Sequence, residues 1–496
     1  MYYPDIKTFK ILAKKSNIVP VFKEMLTDLE TPVSAFLKIS EDAEHAYLLE
    51  SVEGQEKIGR YSFLGVDPSH IFKSSGNKIT FYTPGQDTKQ YICKDPLLEL
   101  KKLMSRYKPA NIPGLPGFFG GAVGYLSYDM VRFFEKLPFK KKEDSGVPEA
   151  YFLFTDTILV FDHVKHCIKI VSNAHIQGDP QKAYKTALRK IEELEKKLMK
   201  DIRHQANFSS GTKKIRKVSF RSNFTKEKFE SAVTKIKKYI QKGEIIQAVP
   251  SQRLSIKIDT DPFRLYRALR IINPSPYMYY FKLPEMNIVG SSPEVFLRVE
   301  DGKASLRPIA GTRQRGKNEP EDKKISQELL NDEKEKAEHI MLVDLGRNDL
   351  GRVCKYGSVR IKNFMDIEKY SHVMHIVSQV EGRVSKGKDA FDCVRACFPA
   401  GTVSGAPKIR AMEIIEEVEP TKRGIYAGAT GYFSFSGNFD MCITIRTILV
   451  RKGYAYIQAG AGIVADSKPE NEYYETINKA QALIKAIELA KSLEEK

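Results

Sequence analysis

Strand-like runs and amphipathic helices alternate irregularly along this chain, and their order constrains the fold more than any other feature. Short runs rich in β-branched and aromatic residues are separated by Gly, Pro and Asp turns. Helical patterns interrupt these runs without the regular strand–helix repeat of a parallel sheet. We therefore expect an α+β fold. The 496 residues also exceed what one ordinary core accommodates, so two or more domains are expected.

Residues 1–205 form the first predicted region. Three of its short apolar runs predict strands: "SAFLKIS" (34–40), "AYLLESV" (46–52) and "KITFYT" (78–83). The run 150–173 predicts a hairpin that turns near Asp162–His163. Residues 179–202 then predict a long, charged helix.

A polar stretch at 204–217 predicts a linker, because it lacks any apolar periodicity. The second predicted region therefore spans residues 206–496. Its first helix has an apolar face, and Gly243 is a natural stop. The members of that face are Phe229, Val233, Ile236 and Ile240. Strands are predicted next, in "IIQAVPSQRLSIKI", "PYMYYFKLP" and "NIVGSSPEVFLRVE".

Two later helices have recognisable starts. Asp332 and Glu335 predict a capping box at the first of them. Ser467 is the predicted cap of the second, with Pro469 in its first turn. These starts place acidic residues on helix faces, where spacings of three bring side chains together.

One segment is echoed within the chain. "GAVGYLSY" (121–128) matches "GATGYFSF" (428–435) at its glycines, alanine, serine and aromatic positions. The echo indicates either structurally equivalent strands in two halves or chance convergence of glycine-punctuated aromatic strands. The sequence does not separate these two interpretations.

The net charge of +18 comes from 80 Lys and Arg against 62 Asp and Glu. These basic residues are scattered among acids and accompany no nucleic-acid-binding motif, so no nucleic-acid partner is expected. A positive field that attracts anionic substrates is one interpretation. A lysine-rich, solvated surface explains most of the charge.

The six cysteines do not form a disulfide framework in a chain of this length. Cys393 and Cys397 are four apart and could share a helix face, either as a metal pair or, as we expect, as small buried residues. No leader pattern and no membrane-spanning apolar run is expected, which favours a cytoplasmic protein without a membrane partner.

Three glutamates suggest an oxygen-ligand metal site. Glu338 precedes a mostly apolar helical stretch, where a carboxylate needs a partner, either a basic residue or a metal. Glu472 and Glu475 share a helix face, although acids near a helix N-terminus are also favoured by its dipole. Carboxylates without clustered His and Cys favour Mg²⁺ over Zn²⁺. Spacing alone does not bring Glu338 next to Glu475.

Two glycine-containing loops and one arginine predict an anion site. "PIAGTRQRG" (308–316) and "AGAG" (459–462) expose main-chain N–H groups, although such loops are more often simple turns. Arg446 is predicted inside a β-branched strand. Burying it there would be costly unless it met an anion such as a carboxylate.

Long motifs over residues 220–490 resemble those of the chorismate-utilising enzymes. The motifs are "GSSPEVFLRV", "PIAGTRQRG", "AEHIMLVDLGRNDLGRV", "YSHVMHIVSQVEG", "FPAGTVSGAPKIRAMEIIEEVEP", "YAGATGYFSFSGNFDMCITIRT" and "QAGAGIVADSKPENEYYET". The N-terminal region is similar to the family at "LLES" and "GFFGGAVGYLSYDMVRF". The resemblance implies two packed antiparallel β-sheets surrounded by helices. It also implies Mg²⁺-dependent addition of ammonia to C2 of chorismate, loss of the C4 hydroxyl and elimination of pyruvate to give anthranilate.

The resemblance also assigns site residues. Glu338 and Glu475 match metal ligands, with Glu472 nearby, and Glu294 matches a general acid for the departing hydroxyl. His375 matches a histidine needed for turnover, or one that only orients a neighbour. The matched chorismate contacts are Gly311, Thr312, Tyr426, Arg446, Gly460, Ala461 and Gly462.

Two positions discriminate between activities within the family. Isochorismate and salicylate synthases carry a water-activating lysine at the position of Gln247, so glutamine argues against water as the nucleophile. Aminodeoxychorismate synthase, the alternative activity, commonly has a lysine that attacks C2 at the position of Ala310. Alanine there favours the ortho-amino product over the para-amino product.

The resemblance implies a partner and an inhibitor as well. Nothing in the chain resembles a glutaminase, so a separate glutamine amidotransferase subunit is expected to supply ammonia. Ser51, Pro276, Tyr277 and Met278 match the pocket through which L-tryptophan inhibits the family. These four residues could instead be a strand end packed on an aromatic strand.

Overall fold

The computed structural model describes residues 1–26, 29–51, 59–138, 146–201, 217–370 and 373–492. Most of the predicted linker at 204–217 lies outside these residues. The described strands, in chain order, are β1 (Tyr2–Tyr3), β2 (Ile18–Leu26), β3 (Ala46–Glu50), β4 (Tyr61–Val66), β5 (His70–Ser75), β6 (Lys78–Tyr82), β7 (Lys89–Ile92), β8 (Gly121–Leu126), β9 (Ala150–Thr155), β10 (Thr157–Asp162), β11 (Cys167–His175), β12 (Arg221–Ser222), β13 (Gln247–Ala248), β14 (Ser251–Lys257), β15 (Tyr277–Leu283), β16 (Met286–Ser292), β17 (Val295–Glu300), β18 (Lys303–Leu306), β19 (Ile309–Gln314), β20 (Arg360–Lys369), β21 (Val373–Arg383), β22 (Gly405–Ala406), β23 (Ala429–Ser434), β24 (Phe439–Ile443), β25 (Thr447–Arg451) and β26 (Tyr454–Gly460).

The described helices cover the outside of these strands. They are α1 (Ile6–Ala13), α2 (Pro32–Ser40), α3 (Pro96–Met104), α4 (Pro180–Leu198), α5 (Lys226–Gln241), α6 (Pro262–Ile272), α7 (Glu319–Asn331), α8 (Glu333–Gly351), α9 (Ala390–Cys397), α10 (Lys408–Val418) and α11 (Pro469–Ser492). Short 3₁₀ helices occur at Tyr128–Phe133 and Gly401–Val403.

Two large antiparallel sheets face each other, as the resemblance implies. The first sheet, in spatial order, is β1-β2-β11-β10-β4-β3-β15-β16-β25-β26-β14-β12. The second is β19-β21-β18-β17-β24-β23-β8-β9-β5-β6-β7, with β20 also paired to β21. Aromatic contacts join the two sheets: Phe63 of β4 lies 5.9 Å, centroid to centroid, from Tyr432 of β23. The expected α+β sandwich is confirmed.

Both sheets take strands from either side of the predicted boundary near residue 205. In the first sheet β3 pairs with β15, with Glu50 opposite Met278. In the second sheet β8 pairs with β23, with Gly124 opposite Gly431. The regions 1–205 and 206–496 therefore share both sheets, and the division between them stays a prediction about sequence regions.

The two echoed segments are neighbours in space. Strands β8 and β23 pair antiparallel along their length, from Ala429 opposite Leu126 to Ser434 opposite Gly121. A Cβ added at Gly121 would lie 2.1 Å from the Phe433 carbonyl oxygen, so a side chain would separate the strands. The pairing favours structural equivalence of the two strands over chance similarity.

The prediction of a strand at "SAFLKIS" was wrong, because these residues lie in helix α2. The Thr31 hydroxyl accepts from the Ser34 N–H, and the Ser34 hydroxyl accepts from the Thr31 N–H. Pro32 occupies the first turn. Ala35, Phe36 and Ile39 are buried, which is a helical rather than an alternating spacing.

The run "NIVGSSPEVFLRVE" is two strands rather than one. Strand β16 belongs to the first sheet and β17 to the second, so the chain changes sheet between Ser292 and Val295. Likewise the run 150–173 begins with β9 in the second sheet, and only β10 and β11 form the predicted hairpin.

Candidate active site

The chain passes from one sheet to the other at two places that lie side by side in the candidate site. Glu294 lies between β16 and β17, and Arg446 lies between β24 and β25. The Ile443 N–H donates to the Glu294 carbonyl oxygen at 3.0 Å, and the Ser291 N–H donates to the Arg446 carbonyl oxygen at 3.1 Å. The crossings are thus tied to each other by backbone hydrogen bonds. Arg446 is not inside a strand, which corrects the prediction.

Arg446 has a left-handed backbone, with φ of +51°. Such a conformation is uncommon for a residue with a Cβ and persists only where the surrounding structure imposes it. Its guanidinium donates to the Lys479 carbonyl oxygen of α11. Burial lowers the pKa of Arg446 from its ordinary value, so a bound anion would stabilise its charge.

Four glutamates approach one another from two helices. Glu335 and Glu338 are three apart on α8, and Glu472 and Glu475 are three apart on α11. Burial raises the pKa of Glu338, and the charges of Glu335 and Glu475 raise it further. Glu338 and Glu475, which sequence spacing could not relate, therefore lie within electrostatic reach of each other.

Glu472 is in the same environment. Burial raises the pKa of its carboxyl group, hydrogen bonding to Ser467 lowers it, and the charge of Glu475 raises it again. Ser467 also accepts from the Val464 N–H at 3.1 Å, so its hydroxyl holds the turn before α11.

The start of α8 differs from the predicted capping box. Asp332 is the N-cap and accepts from the Lys334 and Glu335 N–H groups. The Glu335 carboxylate accepts instead from Arg313 at 3.0 Å. Glu335 is therefore held toward β19, beside Gly311, rather than folded back on its own helix.

Gln247 contacts the same cluster. Its Nε2 donates to Oε1 of Glu338 at 3.1 Å, which lowers the pKa of Glu338 against the effect of burial. A Cβ added at Gly462 would lie 2.7 Å from Nε2 of Gln247, so the glycine leaves the space that this side chain occupies.

Lys479 is a site residue that sequence reasoning missed. Its ammonium group bonds Glu475 at 2.7 Å and donates to the Gly460 carbonyl oxygen at 3.1 Å. The positive charge of Lys479 also lowers the pKa values of Glu294 and Glu338. Its spacing of four from Glu475 was the available signal, but it is equally typical of surface ion pairs.

Tyr426 reaches the end of β26. A Cβ at Gly460 would lie 2.9 Å from Oη of Tyr426 and 2.8 Å from the Pro250 carbonyl oxygen, so this position has no room for a side chain. Burial raises the pKa of Tyr426 to about 12, which keeps the phenol neutral and able to donate. The Ala461 N–H donates to the Pro250 carbonyl oxygen at 3.1 Å, so this amide is already engaged.

Gly311, Thr312 and His375 form a second group on β19 and β21. Nδ1 of His375 lies 3.1 Å from Oγ1 of Thr312 and 3.0 Å from the Gly311 carbonyl oxygen. Gly311 has a φ of +64° at the bulge that follows Ala310. Burial lowers the pKa of His375, which favours the neutral imidazole.

Glu294 is a buried carboxyl group. Burial raises its pKa to about 8, against the opposing effects of the Thr402 hydroxyl, the Ile309 N–H and the charge of Lys479. A carboxyl group with such a pKa is protonated at neutral pH and is able to act as an acid.

The donor chemistry of the four glutamates fits Mg²⁺. Among the described residues, no three His, Cys, Asp or Glu side chains already enclose a metal position. Burial, and to a lesser extent the charge of Glu475, raises the pKa values of Glu338 and Glu472, so a nearby cation would stabilise their charged forms. A cation that takes few protein oxygens and keeps several waters suits such a cluster.

The six cysteines are free thiols and all are buried. Burial raises the pKa of Cys393 to about 12 and raises that of Cys397 as well. Both residues lie on the buried face of α9. They are the small buried residues that we expected, rather than a thiolate pair.

A separate cavity of about 600 Å³ lies between the two sheets. Ser51, Pro276, Tyr277 and Met278 all line it, so the structure brings these four residues together. Its polar wall includes four charged groups that sequence reasoning did not identify, of which Glu50 is buried and the other three are partly exposed. They are Glu50, Arg60, Arg298 and Asp440.

Comparison with known proteins identifies the family. The family model described as chorismate binding enzyme matches residues 44–485. The chain belongs to this family of enzymes. None of its described helices is both long and apolar enough to cross a bilayer.

Individual relatives are similar over nearly the whole chain. A protein of Acetivibrio thermocellus named "Anthranilate synthase component 1" is 50% identical over 492 residues, covering 99% of each chain. The solved anthranilate synthase component I of Streptococcus pneumoniae TIGR4 is 38% identical, with a TM-score of 0.77 over 87% of this chain and 93% of that one. MenF, the menaquinone-specific isochorismate synthase of Escherichia coli, shares the fold at 17% identity, with a TM-score of 0.69 over 97% and 98% of the two chains.

Proposed function

We propose that this protein is the synthase component of an anthranilate synthase, which converts chorismate and ammonia to anthranilate, pyruvate and water. The observation that carries the proposal is 50% identity to a relative of that name over 99% of both chains. Gln247 and Ala310, where other family activities use lysine, support ammonia as the nucleophile and the ortho-amino product.

The first half of the reaction needs an acid. Ammonia adds at C2 as the C4 hydroxyl departs, and the leaving oxygen must receive a proton. Glu294 is the group proposed to donate it, because burial raises its pKa to about 8 and keeps its proton in place at neutral pH. Elimination of pyruvate then makes the ring aromatic.

Substrate binding is assigned to the groups around the two crossings. Arg446 suits a carboxylate, because its guanidinium is buried and in reach of the Tyr426 phenol. The Tyr426 phenol, Thr312 and the Gly460–Gly462 segment are proposed as further contacts. The neutral His375 is proposed to hold Thr312 and the Gly311 carbonyl, and so to orient the bound ring.

Glu338 and Glu475 are the proposed Mg²⁺ ligands, with Glu472 and Glu335 beside them. When bound, the metal would neutralise the ring carboxylate and stabilise negative charge that develops there as C2 is attacked. Gln247 holds Glu338 in one orientation through its hydrogen bond. Lys479 balances the remaining charge of Glu475.

Ammonia is proposed to come from a separate glutamine amidotransferase subunit. The name "component 1" of the similar proteins supports a second component. The described cysteines are buried, and a thiol nucleophile needs a partly exposed, low-pKa environment.

L-Tryptophan is the proposed inhibitor at the cavity between the sheets. A volume of about 600 Å³ is sufficient for an amino acid of this size, and the wall offers both aromatic faces and charged groups. Glu50 and Asp440 suit an ammonium group, and Arg60 and Arg298 suit a carboxylate.

One incubation tests the proposed function. The purified chain is given chorismate, Mg²⁺ and either ammonium or glutamine, and the products are identified by mass spectrometry. We expect anthranilate and pyruvate with ammonium, and no product with glutamine. A para-amino product would identify aminodeoxychorismate synthase instead, and glutamine-dependent turnover by the single chain would refute the separate amidotransferase.

A further inference from the structure

A deeply buried ion pair lies directly behind the candidate site. Arg423 and Glu419 are each 4% exposed, and two guanidinium nitrogens of Arg423 bond the Glu419 carboxylate at 2.6 to 3.2 Å. Burying two charges carries a large desolvation cost, which only complete hydrogen bonding offsets. Neither residue has a role in the proposed reaction.

Neighbouring backbone groups and the Ser251 hydroxyl also bond to the pair. Arg423 donates to the Val403 carbonyl oxygen at 2.7 Å and to the Val249 carbonyl oxygen at 2.5 Å. Glu419 accepts from both the N–H and the hydroxyl of Ser251, at 2.7 and 2.8 Å. The guanidinium is therefore fixed in position and orientation by three separate chain segments.

This fixed guanidinium lies against the ring of Tyr426, at 5.6 Å from its centroid, and against Tyr128 on another side, at 4.6 Å. Cation–π contacts of this kind hold a ring in place as well as attract it. The phenol of Tyr426 extends from there to Gly460 at the end of β26. The Arg423 guanidinium therefore packs against the Tyr426 ring, and the Tyr426 hydroxyl lies at the candidate site.

Two groups contact the Tyr426 side chain. The Gly460 backbone hydrogen-bonds the phenol oxygen, and the fixed guanidinium of Arg423 packs against the ring. Ala427 has a left-handed φ of +64°, so the chain turns sharply after Tyr426.

We propose that Arg423, anchored by Glu419, is a positioning residue for substrate binding: it holds the Tyr426 hydroxyl at the place where it contacts bound chorismate. This inference rests on the proposed function. Arg423 does not touch substrate, so its loss should weaken chorismate binding and leave the chemical steps largely intact.

The variant that tests this is Arg423→Lys, which keeps the charge and a bond to Glu419 but loses the planar surface and the fork of donors. The KM for chorismate should rise about tenfold, while kcat with ammonium changes less than about twofold. Arg132→Lys is the matched control. Arg132 forms a comparable pair with Glu416, at 2.7 Å with both side chains less than 10% exposed, and we expect its replacement to lower Tm without changing KM.

A double-mutant cycle with Tyr426→Phe decides whether Arg423 acts through that hydroxyl. If it does, Arg423→Lys should change KM less than about threefold in the Tyr426→Phe background, because no hydroxyl is left to place. The same tenfold effect in both backgrounds, or an unchanged KM in Arg423→Lys, would overturn the proposal. Tyr426→Phe that leaves KM unchanged would instead count against the substrate site.

A second variant covers the case in which Arg423→Lys does not fold. Glu419→Gln keeps the shape of the anchor and its contact with Ser251 but removes the charge that fixes Arg423. We expect the same rise in KM, smaller in size and again lost in the Tyr426→Phe background. A fall in kcat with unchanged KM would show that the pair acts on another step.

Discussion

The side-chain amide of Gln247 donates a hydrogen bond to the carboxylate of Glu338, with 3.1 Å between Nε2 and Oε1. The family resemblance related Gln247 to the choice of nucleophile and Glu338 to the metal. Their contact means that a change at one position alters the other.

Replacing Gln247 with Leu should weaken Mg²⁺ binding. Without the donated hydrogen bond, burial and the neighbouring carboxylates raise the pKa of Glu338 further, so a proton competes better with the metal. Groups that orient a metal ligand typically contribute about tenfold to a hundredfold in metal affinity. A magnesium titration of ammonium-dependent activity measures the shift. Gln379→Leu is the control, since Gln379 bonds a glutamate outside the site, and an equal shift there would contradict the role of Gln247.

Removing the Glu338 carboxylate should abolish activity at every accessible Mg²⁺ concentration. The Glu338→Ala variant loses a proposed ligand and leaves substrate and metal misaligned, which we expect to cost at least about a hundredfold in kcat. The control is Glu333→Ala on the same helix, where the side chain is exposed. Normal turnover by Glu338→Ala, measured by anthranilate fluorescence, would remove Glu338 from the site.

Secondary structure could be predicted from the sequence where one face of a helix or strand is buried. Phe229, Val233 and Ile236 gave the buried face of α5 correctly, because a period of 3.6 leaves a clear pattern. The segment 34–40 was wrongly predicted to be a strand, because its apolar residues also fit that pattern. Thr31 and Pro32, immediately before it, are the signal for the start of a helix.

The assignment of strands to sheets could not be predicted from local patterns. Strand β16 pairs with β25, which lies more than 150 residues later, so no local pattern records the pairing. The same long-range pairing creates the crossings that carry Glu294 and Arg446. The resemblance to family motifs therefore identified most of the candidate site residues. It gave no distances between them, and it did not identify Lys479.

Turnover should depend on a group with a pKa of about 8. Burial raises the pKa of Glu294 above its ordinary value, so the acid form is present below pH 8 and is lost as the pH rises through it. We expect kcat, corrected for the concentration of free ammonia, to fall about tenfold per pH unit above that value. In Glu294→Gln the residual rate should be lower by about a hundredfold or more and should lack this limb. A profile of unchanged shape in Glu294→Gln would assign the acid to another group.

Filling the cavity between the sheets should relieve inhibition by tryptophan. The Ser51→Phe variant places a ring in the space of about 600 Å³ that Tyr277 and Met278 also line. We expect the inhibition constant for tryptophan to rise about tenfold or more, and the uninhibited ammonium-dependent rate to stay within about twofold. Ser105→Phe, an exposed position after α3, is the control. Equal inhibition of Ser51→Phe and the wild-type protein would place the effector elsewhere.

Ala310 provides the sharpest test of product choice. It is buried on β19, directly before the Gly311 bulge and the Thr312 contact with His375. A lysine at this position would present an amine to C2 of the ring, at a much higher effective concentration than free ammonia. Burial would lower the pKa of that amine and increase its reactive fraction, although the substrate carboxylates would oppose the shift.

We therefore expect Ala310→Lys to lose most anthranilate formation and to form a covalent adduct with chorismate, detectable by intact-protein mass spectrometry. Ala310→Met is the matched control, because it adds similar bulk without a nucleophile. If exclusion of substrate were the only effect, both variants would lose binding and neither would form an adduct. If Ala310→Lys made anthranilate at the wild-type rate, position 310 would not face C2, and the main argument for the ortho-amino product would fail.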